Sequence, residues 1–147
     1  TEFVVQACNG LAQAIEDSTR PERSTPESAT QIKALCAQYT RVMGQFGHQP
    51  GDIDTLVLGC THYIFAADVL RDLLGPGITL IETGTPVARR SLSLLHATGM
   101  LRKPADAIAA SAQCTLYTTG ELAALQHAAE HWLGLNPACC HTTGSGV

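Results

Sequence analysis

The stretch that decides the fold is Asp54-Thr55-Leu56-Val57-Leu58-Gly59-Cys60-Thr61-His62-Tyr63. An apolar run stops at a glycine, and a cysteine, a threonine and a histidine follow at once. A helix-like pattern comes next. A buried strand that ends this way delivers a thiol to the ligand-facing edge of an α/β sheet, because ligands there sit beyond the carboxyl ends of the strands. Gly59 is expected to remove a Cβ that would crowd a substrate or strain the turn. Cys60 is expected beside the N-terminus of the next helix, where the dipole favours a thiolate. His62 is near enough in sequence to tune that thiol or relay its proton. A cysteine by itself is often a small buried hydrophobe. The whole string sets this one apart.

Working outward, strand-like and helix-like segments alternate. Thr1–Cys8 reads as a strand, Gly10–Asp17 as a helical turn and Ser18–Ser28 as a surface loop. A helix is predicted from Pro26 to about Phe46, with Ile32, Leu35, Cys36, Tyr39 and Val42-Met43 at three-to-four spacing. Asp54–Leu58 and Thr79–Glu82 read as strands, and Tyr63–Leu74 and Thr85–Met100 as helices. Lys103–Ala109 reads as a linker, Gln113–Tyr117 as a strand and Glu121–Leu133 as a helix ended by Gly134. A disordered tail is expected from Asn136. This alternation predicts an α/β fold, a parallel sheet with helices on both faces.

Composition limits the partners. The chain has 147 residues, 45% of them hydrophobic and 15% charged, with a net charge of −4, which describes a globular domain with a proper core. Arg89-Arg90 and Arg102-Lys103 are isolated pairs, and the seven aromatic residues are not interleaved with basic ones. No nucleic-acid surface is expected. No apolar run reaches the length of a membrane span. No leader pattern opens the chain, so a cytoplasmic setting is expected. The six cysteines form no compact disulfide framework, which fits a reducing compartment. Cys139-Cys140-His141, with His131 upstream, matches no zinc spacing, and no metal is expected there.

GCTHY after an apolar strand resembles the second active-site motif of the glutamate racemases, within the aspartate/glutamate racemase superfamily. Three further segments resemble that family in the same order. They are Cys8-Asn9-Gly10-Leu11-Ala12-Gln13-Ala14-Ile15-Glu16, Ile78–Arg90 with its Ile-Glu-Thr-Gly core, and Leu116-Tyr117-Thr118-Thr119-Gly120-Glu121. The resemblance runs from about Val4 to about Leu135. It implies two α/β lobes with a site between them. Residues 1–90 would be part of the second lobe, 91–110 a crossover helix and linker, 111–135 a return to the first lobe, and 136–147 the tail. The first lobe would be largely missing, so the chain is expected to be the C-terminal part of a longer enzyme. The helix Glu121–Leu133 is then expected to expose Leu122, Leu125, Ala129 and Trp132.

The implied chemistry is interconversion of L- and D-glutamate for peptidoglycan synthesis. Two cysteines deprotonate and reprotonate Cα from opposite faces, with no cofactor and no metal. A thiol suits both jobs, but a free cysteine has a pKa of about 8.5 and needs activation. By position Cys60 matches the second of those cysteines and His62 the histidine that assists it. Thr61 and His62 match substrate-binding positions, and Glu16 an acidic proton-relay partner. The resemblance leaves room for a homo-oligomer in the full enzyme. Aspartate racemase relatives more often carry Glu where His62 stands. Two departures stand out: Ile64 replaces a usual proline, and Asn9 replaces the proline after Cys8.

Cys8 reads as a packed residue, Thr118-Thr119-Gly120 as a helix cap, and His48, His96, His127 and His131 as surface residues. With one thiol of the pair, the isolated chain is expected to be inactive. The alternatives are a non-catalytic fragment or protein-binding module, an aspartate racemase-like enzyme, and a Cys-His hydrolase or transferase. The last needs an oxyanion hole that no segment supplies.

Overall fold

The structure, a computed structural model, describes residues 1–20, 22–23, 25–101 and 114–143. The chain divides into two compact units, Thr1–Thr83 and Gly84–Val147. The division thus falls at residue 83, where the sequence suggests a boundary near residue 90. The expected linker at 103–109 lies outside the described residues.

In the first unit, Gly10 takes a left-handed conformation (φ 83°) and opens α1 (Leu11–Ser18). Leu11, Ala14 and Ile15 are buried at three-to-four spacing, so one face of α1 meets the core. The second helix, α2 (Pro26–Met43), starts with a capping box. Thr25 Oγ1 accepts from the Ser28 N–H and Ser28 Oγ from the Thr25 N–H, while Pro26 occupies the first turn. The helix buries Ile32, Cys36 and Thr40, spaced four apart. It ends at Gly44, just short of the predicted Phe46, because Phe46 instead forms a bridge with Ile53.

Strands β1 (Thr55–Val57) and β2 (Thr79–Ile81) pair in parallel, with Leu56 opposite Leu80. A short 3-10 helix (Tyr63–Ala66) and α3 (Ala67–Leu74) make the crossover between them. Leu56 and Leu58 face the core while Val57 is 58% exposed, the alternation a strand imposes. Ile15, Ile32, Cys36, Leu56, Leu58, Ala66 and Leu70 gather from all of these elements into one hydrophobic core.

Thr1–Cys8 forms no strand, contrary to the prediction. Phe3 and Val5 are 81% and 93% exposed, and no neighbouring strand pairs with this segment among the described residues. Strand propensity alone does not hold an unpaired backbone extended in a sheet.

The second unit begins with α4 (Gly84–Ala97), every residue of which is exposed. Strands β3 (Leu116–Thr118) and β4 (Cys140–Thr142) pair in parallel and carry α5 (Leu122–Leu133) between them. Gly134, left-handed at φ 61°, closes α5, and the Leu135 N–H returns to the Ala129 carbonyl at 3.0 Å.

Two expectations change here. Residues 137–142, predicted as tail, form a 3-10 turn and β4, because Cys140–Thr142 has β3 to pair with. Ala129 is buried and Leu122, Leu125 and Trp132 are half-buried, since α5 packs against β3 and β4. The helix α4 exposes Val87, Leu92, Leu94 and Leu95, and α5 exposes only its last residue, Leu133, among its large apolar side chains. No described helix is long and apolar enough to cross a membrane. The architecture is α/β with parallel strand pairs.

Candidate active site

The site is built where β1 ends. The Leu58 N–H still donates to the Ile81 carbonyl at 2.8 Å, and the chain leaves the sheet at Gly59. Two tight turns follow. The Tyr63 N–H donates to the Cys60 carbonyl at 3.1 Å, and the Phe65 N–H to the His62 carbonyl at 3.1 Å. They curl Cys60-Thr61-His62 back on itself. Cys60 Sγ consequently lies 3.8 Å from His62 Nδ1.

The other ring nitrogen, His62 Nε2, lies 3.8 Å from Glu16 Oε2. Thiol, imidazole and carboxylate therefore form one line of contacts, although Glu16 and His62 are 46 positions apart. The core explains the alignment. Ile15 is 1% exposed and anchors α1, so the next residue, Glu16, is held at the rim. The helix α1 packs directly on the 3-10 helix that follows His62. The thiol–imidazole contact is within hydrogen-bond reach for sulfur, whereas the imidazole–carboxylate contact is longer than a direct N–H···O bond of 2.7–3.2 Å. Catalytic hydrogen bonds are commonly long before substrate tightens them. Thr61 is exposed beside this line and Cys60 is half-buried.

Two details of the sequence reading are corrected. A Cβ at Gly59 would meet nothing within 4 Å, and its backbone is not left-handed. Strain in the turn is therefore not what glycine relieves there. The helix after Cys60 begins as a four-residue 3-10 turn, and α3 starts only at Ala67. The aligned dipole of an α-helix thus lies a turn beyond the thiol. His62 is the nearer influence.

Sequence reasoning missed the two tyrosines that fasten the neighbouring loop. Tyr39 Oη donates to the Asn9 carbonyl at 2.7 Å, and Tyr63 Oη to the Cys8 carbonyl at 3.3 Å. They hold the Cys8–Gly10 loop where a proline is absent. The signal was the Tyr63 of GCTHY itself. Burial pushes the Tyr63 hydroxyl above its ordinary pKa, with the Cys8 and Cys60 charges adding to it. Cys8 is also raised by burial, against a lowering hydrogen bond from Tyr63. Cys36 is pushed up to about 11 by burial and then by Cys8. Both are protonated, packed thiols at neutral pH.

Outside this line, Thr118 and Gly120 do not cap a helix. Thr118 Oγ1 accepts the Gly120 N–H at 2.9 Å in a local turn, and Glu121 is the residue before α5. His127 is half-buried rather than a surface residue. Its ring stacks on His131 at 5.9 Å, and His131 meets Trp132 edge-on at 4.4 Å. Among the described residues no group of three His, Cys, Asp or Glu gathers to hold a metal. Two surface hollows of about 320 and 620 Å³ lie against α2 and α3 and at the α3–β2 turn. Neither is lined by Cys60, His62 or Glu16.

The chain resembles known proteins in sequence and in fold. The chain is 35% identical to a glutamate racemase of Streptococcus suis over 86% of its length, and 57% identical to one of Cupriavidus pinatubonensis over 61%. Its fold matches the crystal structure of glutamate racemase isoform RacE1 from Bacillus anthracis, with a TM-score of 0.71 at 25% identity. That match covers 97% of this chain. The chain belongs to the glutamate racemase family. It spans only part of these proteins: 53% and 29% of the two curated relatives and 46% of the solved chain. No family model matches the chain. In this chain, GCTHY and the Cys8–Glu16 segment are brought together, His62 beside Glu16 and Tyr63 on the Cys8 carbonyl.

Proposed function

We propose that this chain supplies one catalytic face of a glutamate racemase. In that reading Cys60 is the thiol that takes the α-proton from one enantiomer and returns a proton to the same face in the reverse direction. A second thiol, from outside this 147-residue stretch, works the opposite face. Proton balance is then simple. One thiolate gains the α-proton, a planar carbanion intermediate forms, and the opposite thiol donates its proton to Cα. The reaction needs no cofactor or metal.

The observation that carries the proposal is the line from Cys60 Sγ through His62 to Glu16, at 3.8 Å on each side. A thiol must shed its proton before it can act as a base, and in this reading His62 takes it. Glu16 orients the imidazole and balances its charge when protonated. Thr61 offers its hydroxyl and backbone N–H to the charged groups of glutamate. The product, D-glutamate, would serve peptidoglycan synthesis in the cytoplasm.

The test is exchange of the glutamate α-proton with deuterium, followed by NMR. The chain is assayed alone and with the N-terminal portion of a relative. Exchange only in the combined sample is the expected result. Exchange by the chain alone on both enantiomers would refute the division of labour. Cys60→Ala should lower exchange in the combined sample by about a hundredfold or more, with stability changed by no more than about 1 kcal/mol. Glu16→Gln should slow exchange and move its pH profile, as expected of a residue acting through His62.

A further inference from the structure

Building on the role proposed for the Cys60–His62–Glu16 line, we propose that Tyr39 and Tyr63 are its positioning residues: their hydroxyls fix the entry of α1 and so keep Glu16 against His62. The loop they hold has little stiffness of its own. Asn9 has no ring to lock its φ, and Gly10 sits in the left-handed region at φ 83°. The start of α1 has no side-chain cap among the described residues. Tyr39, from α2, donates to the Asn9 carbonyl at 2.7 Å, and Tyr63, from the 3-10 helix, donates to the Cys8 carbonyl at 3.3 Å. The Cys8 carbonyl also accepts the Leu11 N–H at 3.2 Å, so the Tyr63 bond lands on the first turn of the helix.

Two kinds of contact hold α1, and they do different things. Burial of Leu11, Ala14 and Ile15 decides which face of the helix meets the core. Apolar burial is non-directional, so it sets the position along the helix axis only loosely. Hydrogen bonds are directional and set that position closely. The tolerance is small. A slide by one residue's rise is about 1.5 Å. His62 Nε2 already stands 3.8 Å from Glu16 Oε2, just inside the roughly 4 Å reach of an ion pair. With eight residues, α1 is too short to hold its place by helix formation alone. Tyr63 follows His62 directly in the chain. Its hydroxyl therefore ties the segment that carries the imidazole to the loop from which α1 springs.

The test is the rate at which iodoacetamide alkylates Cys60 in the full 147-residue chain, read by mass spectrometry of the peptide that carries it. This readout needs no racemase turnover. Tyr39→Phe and Tyr63→Phe remove only the hydroxyl oxygen and keep the packing of the rings, and circular dichroism checks each fold. Glu16→Gln should slow alkylation and move its pH profile. Tyr39→Phe and Tyr63→Phe should each slow it by up to about tenfold, the equilibrium worth of one hydrogen bond, and move the profile in the same direction. In a Glu16→Gln background the tyrosine changes should have no further effect, because residues that act through one contact are not additive. Equal slowing with and without Glu16 would overturn the positioning role, and so would parent-like rates in both tyrosine variants. Parent-like alkylation in Glu16→Gln would instead overturn the Cys60–His62–Glu16 line itself, and the positioning role with it.

Discussion

Helices α1 and α4 carry similar sequence signals and meet opposite fates. In α1, Leu11, Ala14 and Ile15 fall on one face and are all buried. In α4, Val87, Leu92, Leu94 and Leu95 are 62%, 57%, 48% and 39% exposed, and the helix buries nothing. Both are amphipathic by pattern. The difference is the presence of a surface to receive the apolar face: α1 meets α2 and the 3-10 helix, which lie in the same unit. An apolar stripe states what a helix can bury, and only a neighbour turns it into stability.

That contrast is open to direct attack. The largest effect is expected from Ile15→Ala, at about 2–5 kcal/mol of unfolding free energy, because the side chain is fully buried. Leu92→Ala in α4 should change stability by no more than about 0.5 kcal/mol. Urea unfolding of the two variants side by side measures both, and equal losses would erase the distinction drawn here.

The helix starts offer a finer comparison. The capping box before α2 satisfies free N–H groups, whereas Glu121 before α5 makes no side-chain cap. Thr25→Ala should cost about 1 kcal/mol, and Glu121→Ser should gain up to a similar amount. A stability loss in the second variant would show that Glu121 does something else at that position.

The last effect concerns pH and is absent at neutrality. Cys36 has its folded pKa raised to about 11 by burial. The folded state therefore holds this proton more tightly than the unfolded chain. Its contribution to stability is complete below the ordinary cysteine pKa and is lost as pH rises to about 11. Cys36→Val should flatten the alkaline arm of a stability–pH profile. An unchanged slope would place the alkaline sensitivity elsewhere, with Cys8 and Tyr63 the next groups to replace.

Much of the first unit was legible because its signals are local. Pro26 after Thr25 marks a helix start, and Gly75-Pro76-Gly77 marks the end of α3. The apolar run Leu56–Leu58 identifies a strand whatever surrounds it. Thr1–Cys8 misled for the opposite reason, since Phe3, Val4 and Val5 have strand propensity but no strand beside them among the described residues. The tail misled in the other direction. Its Gly, Thr and Ser residues hid Cys140–Thr142, which becomes a strand only because β3 offers it an edge.

The sequence by itself determined that a cysteine follows a buried strand, with a histidine two residues on. It also determined the family, through GCTHY and the segments around it. Only the tertiary structure decided that Glu16 reaches His62, because their 46-residue separation is closed by the packing of α1 on the 3-10 helix. It alone brought the Tyr39 and Tyr63 hydroxyls onto the Asn9 and Cys8 carbonyls, 30 and 55 positions away, contacts that spacing does not encode. Local patterns fix what each segment can be. The distances that make chemistry come from which buried faces find each other.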